Sequence, residues 1–329
     1  MGQLEVPGDA RGLGLAGHAK EESLTPVMDL DQSIRLSAFN WLGEQTKIHG
    51  DVLPRTLLEE GFIFQGQRIH LISAQGIFKP KILDLPLTIT TSPKGPYEDS
   101  FSADGFLLYK YRGTDADHRD NIGLRKALVK GAPLIYFHGI VPGKYLAVWP
   151  IYIIGDDPRT LTFKIAVDDI QIMHNNLEAL SSVAEDNSGR RAYITAAVKV
   201  RLHQRGFREK VMNAYKTQCA LCRLKHDELL DAAHIIPDNE PDSTPTVDNG
   251  IALCKLHHAA LDSFILGISP DYIIHVREDV LHESDGPMLQ HGLKELHSKR
   301  IILPSSQPLW PKQEYLDRRY QKFRAVYSG

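Results

Sequence analysis

Three cysteines and two adjacent histidines, all between residues 219 and 258, hold most of the metal-binding capacity of this 329-residue chain. Cys219-x-x-Cys222 and Cys254-x-x-His257 are two ligand pairs, each at the two-residue spacing that turns both side chains onto one ion. Three thiolates and one imidazole complete a tetrahedral zinc site. Such a site has no open coordination position, so it supports a fold and performs no chemistry. Burial of cysteines as small apolar residues would not explain paired spacings or the lack of cysteine elsewhere. An odd cysteine count also argues against a disulfide framework.

Any chemistry must come from residues between and beside the two pairs. In D-A-A-H-I-I-P at 231–237, His234 lies in an apolar run that reads as a strand ending at Pro237. Asn249 lies in a loop beside Gly250. His258 opens a helix whose next turn brings Asp262 onto the same face, four residues on. Taken singly, a strand histidine is an ordinary core residue and Asn-Gly an ordinary turn; their order around the metal frame gives them a joint reading.

That order resembles the HNH, or ββα-metal, nuclease family. The matching stretches are C-A-L-C at 219–222, A-A-H-I-I-P at 232–237, D-N-G-I-A-L-C at 248–254 and L-H-H-A-A-L-D at 256–262. The resemblance implies His234 as general base, Asn249 as the residue that orients the loop or His234 itself, and His258 as ligand of a catalytic Mg²⁺, Mn²⁺ or similar divalent ion. Two positions depart from the pattern. His257 stands where relatives more often have a fourth cysteine. Ala233 stands where many relatives place a metal ligand, which leaves Asp231 and Asp262 as the nearest carboxylates. The chemistry is consistent with phosphodiester hydrolysis, since histidine titrates near neutral pH and a divalent ion supplies charge compensation.

The rest of the chain must position this site and its substrate. A length of 329 residues suits two domains, and no apolar run reaches the ~18–20 residues of a membrane span. Without a secretory pattern the expected location is the cytoplasm. A net charge of -3 does not mark a nucleic-acid binder. Local charge differs: Lys199, Arg201, Arg205, Arg208, Lys210 and Lys216 are opposed by Glu209 alone. This stretch fits a phosphate-facing surface and equally a solvated helix face.

Residues 1–28 read as a disordered lead. A helix is predicted over 31–42, from Ile34, Ala38, Trp41 and Leu42, with Asp31 as its cap. Short β-rich runs at 62–64, 87–91, 106–111, 134–137, 145–149 and 161–167, with one helix near 121–130, predict a sheet closed or nearly closed on itself. The predicted organisation is α+β: a curled, barrel-like domain over 29–172, a linker over 173–189 and a zinc-stabilised ββα-metal domain over 190–329. That last domain is led by a basic helix broken near Gly206, and it carries a strand at 273–276 and a closing helix at 313–327.

Within the first domain, K-G-P-Y-E-D-S at 94–100, Asp104-Gly105 and Y-K-Y-R-G at 109–113 resemble the SRA domain, a PUA-like fold that flips a modified cytosine out of duplex DNA. The resemblance implies that Tyr97 and Tyr111 stack on the flipped base, that Asp99 and Ser100 face its polar edge, and that Arg112 contacts phosphate. Stacking at roughly 1–3 kcal/mol per base offsets an unstacking cost of a few kcal/mol. Pro96 and Ser100 depart from the family's Gly and Asp. Together the two resemblances imply a modification-dependent restriction endonuclease acting on double-stranded DNA as a homodimer, with Arg205 and Arg208 on phosphates. An HNH nuclease for phosphorothioate or unmodified DNA, and a reader that does not cut, are the other readings.

Overall fold

A computed structural model describes residues 29–93, 100–102, 104–168, 187–284 and 286–326, with backbone alone at 100–101 and 187–190. The expected lead, the segment 94–99 and most of the expected linker lie outside the described residues. Residues 187–189, expected as its end, already belong to a helix.

Helix α1 (Leu30–His49) buries Ile34, Ala38, Phe39 and Leu42, an apolar stripe of helical period. Asp31 is not its cap. It sits inside the first turn, where its carboxylate pairs with Arg35 one turn on, and Asp29 takes the cap position. The Arg35 guanidinium is buried and donates to the carbonyls of Pro86 (3.0 Å) and Pro133 (2.8 Å), which ties α1 to the sheet beneath it.

The sheet is built from β1 (Val52–Pro54), β4 (Ile77–Phe78), β5 (Thr88–Thr91), β6 (Ser100–Phe101), β7 (Leu107–Lys110), β8 (Leu134–Val141), β9 (Lys144–Asp157) and β10 (Thr162–Val167). A short helix, α2 (Arg55–Glu60), and a small hairpin of β2 (Phe62–Phe64) and β3 (Gln67–Ile69) follow β1. The order β4-β5-β8-β9-β10-β7-β6 leaves β4 and β6 as ends, so the sheet curls as a half-barrel and stays open. The 14-residue β9 makes the curl. Its first half pairs with β8 on one side and β1 on the other, its second half pairs with β10, and a register shift at Lys164/Ile165 bends the ribbon.

Both faces of the sheet are covered, which explains why β8 reads as a continuous apolar run. Leu134, Tyr136 and Ile140 face one core, together with Leu124 of α3 (Arg119–Lys130). Ile135 and Phe137 face the other, with Ile34 and Leu42 of α1.

Helix α4 (Asn187–Ala214) joins the two halves of the chain. The expected break at Gly206 is absent, and 28 residues run as one helix. A mid-helix glycine costs only about 1 kcal/mol, and here apolar contacts on both sides offset it. Leu202 packs into the core of the sheet, while Phe207, Val211 and Met212 enter the core of the C-terminal half. There they cover a hairpin of β11 (Leu230–His234) and β12 (Gly250–Cys254). Gly250 permits the close approach, because a Cβ at that position would lie 2.5 Å from Val211 Cγ2 and 2.8 Å from Phe207 Cζ. Lys144 Nζ of β9 meets Glu209 Oε2 of α4 at 2.7 Å and links the halves electrostatically.

After the hairpin come α5 (Lys255–Asp262), the β13 (Leu266–Ile268) and β14 (Ile274–Val276) pair, short helices α6 (Glu278–His282) and α7 (Pro287–Gly292), and the closing α8 (Gln313–Ala325). Helix α8 lies against β13, where Gly267 leaves room for the Phe323 ring; a Cβ there would meet the ring at 2.6 Å. Among the described residues no helix is long and apolar enough to cross a membrane.

Candidate active site and metal centre

The two ligand pairs converge. The ligand atoms of Cys219, Cys222, Cys254 and His257 all lie within 4.8 Å of one another. Cys219 and Cys222 sit on a tight knuckle, closed by hydrogen bonds from Arg223 N to Cys219 O (3.0 Å) and from Cys219 N to Leu224 O (2.9 Å), with Arg223 in the left-handed region (φ 66). Cys254 is the last residue of β12 and caps α5, which puts His257 one turn into the helix on the same side.

His257 Nδ1 lies 3.4 Å from Cys219 Sγ and 3.2 Å from Cys254 Sγ. Bonds of ~2–2.3 Å at tetrahedral angles give ligand–ligand edges of ~3.5 Å, so these separations fit zinc. The opposite nitrogen, His257 Nε2, lies 2.6 Å from the carbonyl of Gly292. An N–H donated there fixes the tautomer and leaves Nδ1 free to ligate. The thiols act on one another. Contacts with Cys222 and then Cys254 drive the Cys219 thiol far down, against burial, while contacts with Cys219 and then Cys254 push Cys222 up. Shared protons of this kind are what a cation displaces on binding.

A second constellation lies on the other side of the hairpin. His234 ends β11 opposite Gly250. Its ring lies flat on Phe207 of α4, with centroids 3.8 Å apart and planes 12° from parallel. Burial holds the imidazole below its ordinary pKa of 6.5, and the neighbouring His258 acts in the same direction. The carboxylates of Asp238, Asp231 and Asp262 oppose the shift.

Asn249 is fully buried, and its contacts are with the loop rather than with the His234 imidazole. Its Oδ1 accepts from Ile236 N (2.8 Å), and its Nδ2 donates to Thr244 O (3.0 Å) and Ile236 O (3.2 Å). Its own carbonyl accepts from Ile235 N at 2.9 Å. The residue therefore fixes the chain leaving His234.

His258 stands between two carboxylates. Its Nδ1 is 3.4 Å from Asp231 Oδ2 and its Nε2 is 3.3 Å from Asp262 Oδ2. The Asp231 contact raises its pKa, with burial opposing. Imidazole and carboxylate together suit a divalent ion. A ring gives only one nitrogen to one ion, so an ion on Nδ1 would take Asp231 and an ion on Nε2 would take Asp262.

The expected DNA contacts fare differently. Tyr97 and Asp99 lie outside the described residues, and Ser100 is described only as backbone of β6. Tyr111, expected to stack on a base, is a core residue. Its ring is 2% exposed and stacks on Phe163 at 4.5 Å, with its hydroxyl bound to Asp156 and 3.3 Å from Arg125 Nη2. Arg112 pairs with Asp120 and donates to Gln75 Oε1 (2.8 Å).

Arg208 turns inward, donating to Asp227 Oδ1 (3.1 Å) and Leu230 O (3.2 Å), and Arg205 lies 3.5 Å from Asp51. At about 100° per residue, Arg201, Arg205 and Arg208 share one side of α4. Lys199, His203 and Lys210 fall within about 40° of one another on the opposite side, next to Phe207. His203 is held below 6.5 by burial and then by the charges of Lys199 and His138, with Lys210 adding to them; Asp238, beyond His234, opposes.

Two residues near the site were assigned no role from the sequence: Phe207, the plate under His234, and Arg319 of α8. Arg319 lies on the buried seam of α8 between Leu316 and Phe323, and it contacts both His234 and Asp262. Its signal in the sequence is a charged residue at a core-facing helical position.

Residues 219–269 match the HNH endonuclease family model. This part of the chain is a DNA-hydrolysing nuclease domain. No curated protein matches the chain. Among solved structures it is similar to a "Modification dependent TagI restriction endonuclease", at 15% identity and a TM-score of 0.27, over 72% of this chain and 81% of that one. It is also similar to the "Type IV phosphorothioation-dependent restriction endonuclease ScoMcrA", at 17% identity and a TM-score of 0.19, over 54% of this chain and 48% of that one.

The adjacent histidines make the metal assignment testable. His257→Ala is expected to lose zinc and several kcal/mol of folding free energy, whereas His258→Ala keeps zinc at the wild-type ratio per chain. Metal analysis and thermal melting check this; zinc lost from the His258 variant but kept by the His257 variant would reverse the two roles.

Proposed function

We propose that the protein is a modification-dependent DNA endonuclease in which the domain over 29–172 reads modified cytosine and the HNH site cuts. The observation that carries the hydrolytic part is the pairing of His234, half-buried on Phe207, with His258 between two carboxylates, apart from the Cys₃His cluster. The reading role rests on the Y-E-D-S run and its order with Asp104-Gly105, Tyr109 of β7 and Tyr111, on a curled sheet. Tyr97 and Asp99 would then read the base. Their segment departs from Pro93, which packs so closely on β8 that a Cβ at Gly139 would lie 2.6 Å from its Cδ.

In the proposed reaction a neutral His234 takes a proton from the attacking water. The stacked Phe207 ring holds the imidazole plane, and Asn249 holds the chain that follows. His258, with Asp231 or Asp262, would hold a divalent ion, which supplies positive charge to the phosphorane and the leaving oxygen. One such site cuts one strand, so a double-strand break takes a homodimer or two binding events.

The phosphate backbone would approach along Lys199, His203 and Lys210. These lie on the side of α4 that carries Phe207. From Lys199 to Lys210 is about 16 Å of helix, or about five base-pair steps.

Four outcomes are expected. His234→Ala loses about 10²–10⁴-fold in cleavage rate while zinc content and DNA affinity stay at wild-type values. In the wild-type protein the base must be neutral, so the rate rises with pH through a midpoint below 6.5 and is flat by neutrality; a midpoint above 7 contradicts the assignment. Lys199→Ala with Lys210→Ala reduces the slope of log affinity against log salt by about 2, whereas an equal loss from Arg201→Ala with Arg205→Ala would put DNA on the other side of α4. Finally, plasmids carrying 5-methylcytosine or 5-hydroxymethylcytosine are cut in preference to unmodified ones. Equal cutting of these and a phosphorothioate plasmid would refute the reading role, and preference for the phosphorothioate would move it to the backbone.

A further inference from the structure

Arg319 lies 50 residues beyond the matched nuclease segment, on the last helix of the chain, yet its guanidinium touches both halves of the cleavage site. Nη1 donates to the carbonyls of His234 (3.2 Å) and Ile235 (3.1 Å) at the end of β11. Nη2 donates to Leu261 O (3.1 Å) and to Asp262 Oδ1 (2.7 Å) at the end of α5. The side chain is 10% exposed and lies over the Phe264 ring at 5.8 Å. One rigid plane therefore spans from the backbone of the proposed base to the carboxylate beside His258. With Asp262 Oδ1 engaged by arginine, Oδ2 faces His258 Nε2.

We propose that Arg319 is a positioning residue of the nuclease site, fixing the distance between His234 and the His258–Asp262 pair. The inference rests on the reading of Asp262 as a carboxylate of the catalytic ion. Burying a guanidinium is costly unless its hydrogen bonds are made; both Nη atoms make theirs while the buried Nε makes none, and burial against Leu316 and Phe323 alone would favour an apolar residue at this position. The bonds it makes are specific to a planar fork that gives two donors to each side, which lysine cannot reproduce. The rest of α8 supports this placement. Arg318 donates to Asp242 Oδ2 (3.1 Å) and Lys322 to Glu240 Oε1 (2.6 Å), so the same helix grips the loop that leaves His234.

The test compares Arg319→Gln, Arg319→Lys, Asp262→Asn and the Arg319→Gln/Asp262→Asn double variant, in the full chain with zinc bound. The readout is the Mn²⁺ concentration for half-maximal plasmid cleavage, with zinc content measured alongside. Removing a group that orients a metal ligand typically weakens the metal about 10–100-fold. Arg319→Gln is expected to raise the half-maximal Mn²⁺ about tenfold or more with one zinc retained per chain, and the double variant to be no worse than the worse single one. Arg319→Lys, which keeps the charge without the fork, is expected to show the same shift; it serves as the test if the glutamine variant fails to hold zinc. Wild-type Mn²⁺ dependence in the lysine variant, or multiplied effects in the double variant, overturns the proposal. If Asp262→Asn shifts the Mn²⁺ requirement and Arg319→Gln does not, the positioning role falls alone. If Asp262→Asn has no effect, the ligand reading falls and takes this inference with it.

Discussion

A two-stranded hairpin and an eight-residue helix bury too little surface to hold a catalytic base and an ion's ligands in register. Units this small need a covalent or metal constraint, or a larger neighbour to lie on. This chain uses both. The Cys₃His cluster joins the knuckle before β11, the end of β12 and the start of α5, and Gly292 O anchors the imidazole from outside. Three elements thereby share one point. The cluster is the constraint on which the geometry of the cleavage site depends.

The larger neighbour is α4. Its first half packs on the curled sheet and its second half on the hairpin, so the two cores are joined by a single continuous rod. Because Phe207 belongs to the rod and stacks on His234, that histidine is referenced to the same element that carries Lys199, His203 and Lys210. A flexible linker at this point would leave the curled sheet and the nuclease domain independent. A helix rising about 1.5 Å per residue fixes their separation instead.

Much of this was legible in the sequence where the physics is local. Zinc geometry dictates the two-residue spacings, and strand and helix periods gave most elements of the fold. Errors arose where a partner lies far along the chain. Asp31 suits a cap by residue type, but Arg35 lies one turn away and Asp29 takes the role. The cations of α4 read as one cluster by composition; the helical period divides them, yet only the fold brings Asp51 and Asp227 to Arg205 and Arg208. Tyr111 was legible in principle, since Leu107, Tyr109 and Tyr111 alternate onto one face and all three are buried. Arg319 was not, since its partners lie 57 to 85 positions earlier in the chain.

The neighbouring histidines belong to two different clusters on one short helix. Successive residues on a helix point about 100° apart, so His257 and His258 cannot serve the same centre. His257 is 1% exposed and faces two thiols, while the His258 side chain is 24% exposed and faces two carboxylates. Contact of the first with Cys219 and Cys254 sets the rotation of α5 about its own axis, and that rotation places the second between Asp231 and Asp262. Helix α5 is too short to resist turning by its own hydrogen bonds, since isolated helices of this length are marginal in water. The Cys₃His cluster at one end and Arg319 on Leu261 O and Asp262 at the other hold it from both ends. The orientation of His258 is thus set by two contacts that never touch the substrate, and a disturbance of either reaches the cleavage site as a rotation of one short helix.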